Sequence, residues 1–116
     1  MTVLIVDDNP GVRRMIARVV SDLADEIREC GDGAEVLAAY QEHHPDVVLM
    51  DIEMKGLDGI SATRQIIAAF PCARVVMVTG HGDEPLRVAA REAGACGYVL
   101  KENLFEVRRL LQAARE

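Results

Sequence analysis

A chain of 116 residues is long enough to bury one real core and too short for two ordinary domains. Half of its residues are hydrophobic and 28% are charged, a globular composition that excludes a disordered segment, and no apolar run approaches the length of a membrane span. A formal net charge of -6 excludes a domain that grips a nucleic-acid backbone by itself, because that work falls to clustered Lys and Arg. The apolar start, Met1 to Val6, runs straight into Asp7-Asp8 without the basic start and cleavage site of a signal peptide, so a cytoplasmic location is expected. Cys30, Cys72 and Cys96 are odd in number and far apart, which suggests neither a disulfide framework nor a zinc site. Buried free thiols are expected.

In chain order, Val3-Leu4-Ile5-Val6 comes first, a short apolar run without alternation, as in a strand covered on both faces. Val12, Met15, Ile16, Val19, Val20 and Leu23 then form one stripe at helical spacing, with Asn9 placed to cap it and Pro10 in its first turn. A weaker, more polar candidate around Ile27 to Cys30 suits an edge strand. Asp32 with Glu35 has the spacing of a helix cap and its reciprocal partner. Val47-Val48-Leu49-Met50 and Val75-Val76-Met77-Val78 repeat the buried-strand pattern, and Asp58-Gly59 and Glu84-Pro85 mark the helix starts that follow them. Tyr98 to Leu100 supplies a fifth strand, and Asn103 with Glu106 a second cap-and-partner pair that opens a last helix. No linker, repeat or low-complexity tract divides the series, so residues 1–116 read as a single domain. Alternating strands and helices imply right-handed βαβ crossovers, an open parallel sheet with helices on both faces, and a crevice at the strands' carboxyl ends.

The residues just after the central strands are Asp7 and Asp8, then Asp51, then Thr79, with Lys101 after the fifth strand. Singly each has an ordinary explanation: Asp8 helps cap a helix, Thr79 sits in a turn, Lys101 is a solvated charge. Together they do not, because three carboxylates crowded at one rim repel one another and cost stability unless a cation sits among them. Oxygen-only ligands suit magnesium, which keeps several waters and accepts one or two carboxylates plus a phosphate oxygen. A carboxylate in such company can attack phosphorus to give an acyl phosphate, provided the transition-state charge is neutralised.

Across its whole length the chain resembles the receiver domains of bacterial two-component response regulators. The likeness is carried by Asp7-Asp8 after the first strand, Asp51-Ile52-Glu53-Met54 followed by Asp58-Gly59, Thr79-Gly80 after the fourth strand, and Tyr98-Val99-Leu100-Lys101. It implies a flavodoxin-like α/β fold with five parallel strands in the order 2-1-3-4-5. It implies Asp51 as phosphoacceptor, magnesium held by Asp8, Asp51 and the backbone carbonyl of Glu53, and Asp7 holding a water on the metal. Thr79 and Lys101 would bind the phosphoryl oxygens, Tyr98 would be an aromatic switch that moves inward with Thr79, and Glu53 and His81 would tune the phosphate's lifetime. The implied partners are a cognate sensor histidine kinase and an output domain or effector, with homodimerisation on phosphorylation; direct contact with nucleic acid or membrane is not expected. Beyond self-phosphorylation and loss of that phosphate, no enzymatic turnover is expected.

Two positions depart from the receiver pattern. Lys101 is followed by Glu102 where receivers commonly carry a proline, often after a cis peptide. Without proline a cis bond costs about 2.5–4 kcal/mol, so a trans bond is expected. Lys55 likewise stands where a proline is common. An ending without proline looks more like receivers that precede a LuxR-type helix-turn-helix output domain. Two rival readings remain at this level: a haloacid-dehalogenase-type phosphatase, which turnover of a phosphate monoester would reveal, and a receiver-like interaction module that signals without phosphate, which an acid-labile phosphate on Asp51 in cells would exclude.

Overall fold

The three unbroken apolar runs form the middle of the sheet, where both faces are covered and no position has to be polar. A computed structural model describes residues 1–115. Its strands are β1 (Thr2–Val6), β2 (Glu26–Cys30), β3 (Val47–Met50), β4 (Val75–Thr79) and β5 (Gly97–Leu100), and its helices α1 (Pro10–Val20), α2 (Val36–His43), α3 (Gly59–Ala69), α4 (Glu84–Ala93) and α5 (Phe105–Arg115). All pairings are parallel and the order is β2-β1-β3-β4-β5, as the resemblance implied. The two weaker strand candidates are the two edges, and their polarity follows from that position.

Alternate residues of the central strands feed two cores. Leu4, Val6, Val48, Met50 and Met77 pack with Val36, Tyr40, Ile60, Ile66 and Ala90 under α2, α3 and α4. Val3, Ile5, Leu49, Val76 and Val78 pack with Ile16, Val20, Val107 and Leu111 under α1 and α5. Burying a single Leu or Ile side chain contributes roughly 1.5–3 kcal/mol, so both faces are needed to hold a domain of this size.

Several local expectations are corrected. Asn9 does cap α1, its Oδ1 accepting from the Gly11 and Val12 amides at 2.8 and 3.2 Å. The stripe it precedes is narrower than expected, however, because Met15 is 48% exposed and the helix ends at Val20, leaving Leu23 in the turn beyond. Asp32 caps a 3₁₀ turn, Gly33–Glu35, by accepting from the Ala34 amide at 2.9 Å, and α2 begins only at Val36, after Glu35. Asn103 belongs to another 3₁₀ turn, Lys101–Asn103, and α5 starts at Phe105, so Asn103 is not the residue adjoining that helix. Asp58 caps α3 and α4 starts at Glu84 with Pro85 in its first turn, both as expected. Of the cysteines only Cys30 is buried; Cys72 and Cys96 are exposed, because they fall in the turns that lead into β4 and β5 rather than in the strands. None of the described peptide bonds is cis, Lys101–Glu102 included. No described helix is long and apolar enough to cross a membrane.

Candidate functional site

Register places the acidic residues. Val6 pairs with Met50, so Asp7 and Asp51 leave adjacent strands at the same level, and the Asp51 amide donates to the Val6 carbonyl at 2.9 Å. The chain after β3 doubles back closely enough that a Cβ on Gly59 would lie 1.9 Å from the Asp51 carbonyl oxygen, so only glycine fits where α3 begins. Asp7 and Asp51 are 1% and 5% exposed, while Asp8 stands further into solvent. One carboxylate oxygen from each of Asp7, Asp8 and Asp51 falls within 4.8 Å of the other two.

Lys101 reaches into this group from the end of β5, its Nζ 3.0 Å from Asp7 Oδ2 and 3.4 Å from Asp51 Oδ1. The Asn9 amide donates to Asp7 Oδ1 at 2.9 Å, but Asp7 Oδ2 is buried without a hydrogen-bond partner. The Lys101 ammonium, 3.0 Å away, is the charge that faces that oxygen. One ammonium offsets only part of the charge of three clustered carboxylates, and a further cation among them would lower the cost of holding them together. The donor set is oxygen only and carries three formal negative charges, which fits a hard divalent ion such as magnesium.

Burial, and then the neighbouring Asp7 charge, push the Asp51 carboxyl up to about 6, with Lys101 pulling in the opposite direction. Burial works against the Lys101 ammonium, yet Asp7 and Asp51 outweigh it and hold Lys101 above the ordinary lysine range. Asp51 is therefore still mostly ionised at neutral pH, beside a lysine that is fully charged.

These groups line a cavity of about 240 Å³, joined at its mouth by Glu53 and His81. The last two meet, His81 Nε2 lying 2.9 Å from Glu53 Oε1, a contact between two loops that sequence order gives no hint of. Thr79 is fully buried, and its Oγ1 accepts from the His81 amide at 3.2 Å. Tyr98 lies outside this cavity, against α4, with its hydroxyl donating to the His81 carbonyl at 2.5 Å. The Arg87 guanidinium carbon stands 4.6 Å from the centre of the Tyr98 ring. Sequence reasoning missed Arg87 altogether, since its partner arrives from another strand.

Residues 3–115 match the response regulator receiver domain family. The chain is 39% identical over 101 residues to the response regulator GacA of Pseudomonas viridiflava, covering 85% of this chain and 47% of that protein. It is 37% identical over 114 residues to the chemotaxis protein CheY of Listeria monocytogenes, covering 97% of this chain and 94% of that one. Among solved structures, a LuxR-family two-component response regulator from Aurantimonas sp. SI85-9A1 superposes with a TM-score of 0.89 at 34% identity, over 97% of this chain and 82% of that one. The chain thus spans about half the length of the Pseudomonas relative and nearly all of the Listeria one.

Proposed function

Because the chain belongs to the response regulator receiver domain family, we propose that it is the phosphorylation-dependent switch of a two-component system and takes its phosphoryl group on Asp51. The observation that carries this is the placing of the Asp51 carboxylate, at the end of a central strand, 3.4 Å from Lys101 Nζ and within 4.8 Å of the Asp7 and Asp8 oxygens. A carboxylate oxygen of Asp51 forms the new bond to phosphorus as the bond to the donor breaks, with Lys101 positioned to meet the charge on the phosphoryl oxygens. Asp8, Asp51 and the backbone carbonyl of Glu53 would hold magnesium, with Asp7 acting through a water. That ion supplies charge neutralisation and orientation. Incubation with acetyl phosphate and magnesium, followed by mass spectrometry, should show one added phosphoryl group on Asp51; no label at saturating donor counts against the proposal.

The donor in the cell would be a sensor histidine kinase, and the domain would act in the cytoplasm. The output would be a linked domain or a separate effector. A transcriptional output of LuxR type, with dimerisation on phosphorylation, accords with the Lys101-Glu102 ending and with the Aurantimonas likeness. The whole of residues 1–116 would then be one receiver unit. A family match over residues 3–115 favours this reading over a phosphatase.

Thr79 is buried beside the site and holds the His81 amide, so its role would be to report the phosphoryl group rather than to install it. Thr79→Ala should be labelled within about threefold of the wild-type rate, the worth of one hydrogen bond. Phosphate-dependent amide shifts over residues 84–114 should shrink sharply in that variant, and their full retention would contradict the coupling.

Glu53 and His81 line the mouth of the cavity, where they would flank an attacking water. Glu53→Ala and His81→Ala should each change the rate of phosphate loss more than the rate of labelling, by roughly two- to fivefold, since an exposed pair contributes little. Paired labelling and decay measurements decide this, and the opposite ranking removes both residues from that role.

A further inference from the structure

The Asp7 carbonyl is met by a side chain where a strand would ordinarily meet it. The Asp7 amide donates to the Cys30 carbonyl at 3.1 Å, the last rung between β1 and β2. Its carbonyl faces the same side, because the amide and carbonyl of one residue in a parallel ladder address the same neighbour, but β2 ends at Cys30. Arg13 of α1 supplies the next donor: its Nη1 donates to the Asp7 carbonyl at 2.5 Å while its Nε donates to Glu29 Oε1 at 2.8 Å. The guanidinium passes close over Gly31, where a Cβ would lie 3.1 Å from Nη1 and press on it. Only 19% of the Arg13 side chain is exposed, and it does not line the site cavity.

We propose that Arg13 is a positioning residue for the metal site: strapped between Glu29 and the Asp7 carbonyl, it fixes the plane of the peptide that joins Asp7 to Asp8 and so aims the Asp8 carboxylate. The inference rests on the reading of Asp8 as a magnesium ligand. The Asp7 carbonyl and the Asp8 amide lie in one rigid plane, so holding the carbonyl sets the direction in which the Asp8 side chain leaves the backbone. That direction matters because the Asp8 carboxylate, one of the three clustered, has no hydrogen bond or ion pair of its own among the described residues. Magnesium demands near-ideal ligand geometry, so a misdirected carboxylate costs affinity. Charge alone predicts the opposite sign: a guanidinium behind the acidic cluster repels an incoming cation, and removing it should tighten magnesium binding. Positioning and charge therefore separate by the direction of the change.

Isothermal titration of the full chain with magnesium chloride, with no phosphodonor present, gives the Kd of wild type, Arg13→Met and Arg13→Lys, and melting in EDTA checks that each is folded. Arg13→Met should bind magnesium about tenfold more weakly, the lower end of what losing a residue behind a metal ligand costs. Arg13→Lys keeps the charge but has one ammonium for two partners, so its affinity should fall by roughly threefold, the worth of about one hydrogen bond. Labelling of Asp51 by acetyl phosphate should shift to higher magnesium in both variants and recover once magnesium saturates; a deficit that persists at saturation counts against positioning. Binding by folded Arg13→Met that equals or exceeds wild type overturns the proposal and leaves Arg13 a structural ion pair. Where Arg13→Met does not melt cooperatively, Arg13→Lys decides, and a Kd equal to wild type overturns it. If wild type itself takes up no magnesium, the metal reading fails and the positioning role with it; if wild type binds and the variants match it, only the positioning role fails.

Discussion

Asp51→Asn should abolish labelling by acetyl phosphate or by a phosphorylated kinase, a loss of roughly 10³-fold or more, as expected when a covalent nucleophile is removed. Asparagine keeps the shape at the end of β3 and is compatible with a residue only 5% exposed, so the fold should persist. What disappears is the anionic oxygen that would bond to phosphorus. Asp7 cannot substitute: it is 1% exposed, and one of its oxygens already accepts from the Asn9 amide. Asp8 is reachable but precedes α1 rather than following β3. The variant should also melt at a higher temperature than wild type without metal, since it removes a partly buried charge beside Asp7. The assignment fails if the variant labels at the wild-type rate, or if peptide mapping finds the phosphate on Asp7 or Asp8.

The architecture was legible because its signal is redundant. Three apolar runs, Val3 to Val6, Val47 to Met50 and Val75 to Val78, are each long enough to read as strands covered on both faces, and parallel pairing then forces Asp7, Asp51 and Thr79 to one rim. What stayed hidden depends on contacts between segments far apart in the chain. The Glu53–His81 contact and the Arg87–Tyr98 stack each join two separate elements, and neither has a spacing that a linear pattern can carry. The misread details are those in which a local pattern competes with tertiary context. Met15 fits the helical stripe of α1, but α5 and the sheet cover only the Ile16 and Val20 side. Cap spacing at Asp32 marks the start of helical turning correctly, though a 3₁₀ turn precedes α2, whereas Asn103 ends a 3₁₀ turn that begins at Lys101 and does not cap α5. Exposure of Cys72 and Cys96 turns on where a turn ends and a strand begins, the boundary that sequence reports least sharply.

Replacing Asp7 with Asn should raise the melting temperature of the metal-free protein and, in the same variant, remove most of the stabilisation that magnesium gives. Two unit charges about 5 Å apart repel by roughly 3 kcal/mol at an effective dielectric near 20, before relaxation and protonation soften it. Asp7, Asp8 and Asp51 contain three such pairs, and Lys101 offsets only part of their repulsion. The cost already shows in Asp51, held up at about 6 first by burial and then by the Asp7 charge. An ordinary aspartate titrates near 3.9, so between that value and about 6 the folded protein holds a proton that the unfolded chain releases. The contribution of Asp51 to stability in EDTA should therefore fall as pH rises through this window, by about 3 kcal/mol unscreened and roughly 1–2 kcal/mol once solvent at the rim screens it. Asp7→Asn removes the second cause of that shift, so its advantage over wild type should be small near pH 4 and grow toward pH 7, to roughly 4–8 °C in Tm. Magnesium reverses the ranking, because it binds the folded wild type and adds stability with its occupancy, whereas the variant has lost one charge of the site. Thermal denaturation of both proteins at pH 4 and pH 7, in EDTA and in millimolar magnesium, reads all of this. A variant no more stable than wild type in EDTA at pH 7, or one stabilised equally by magnesium, would mean that these carboxylates do not share a cation.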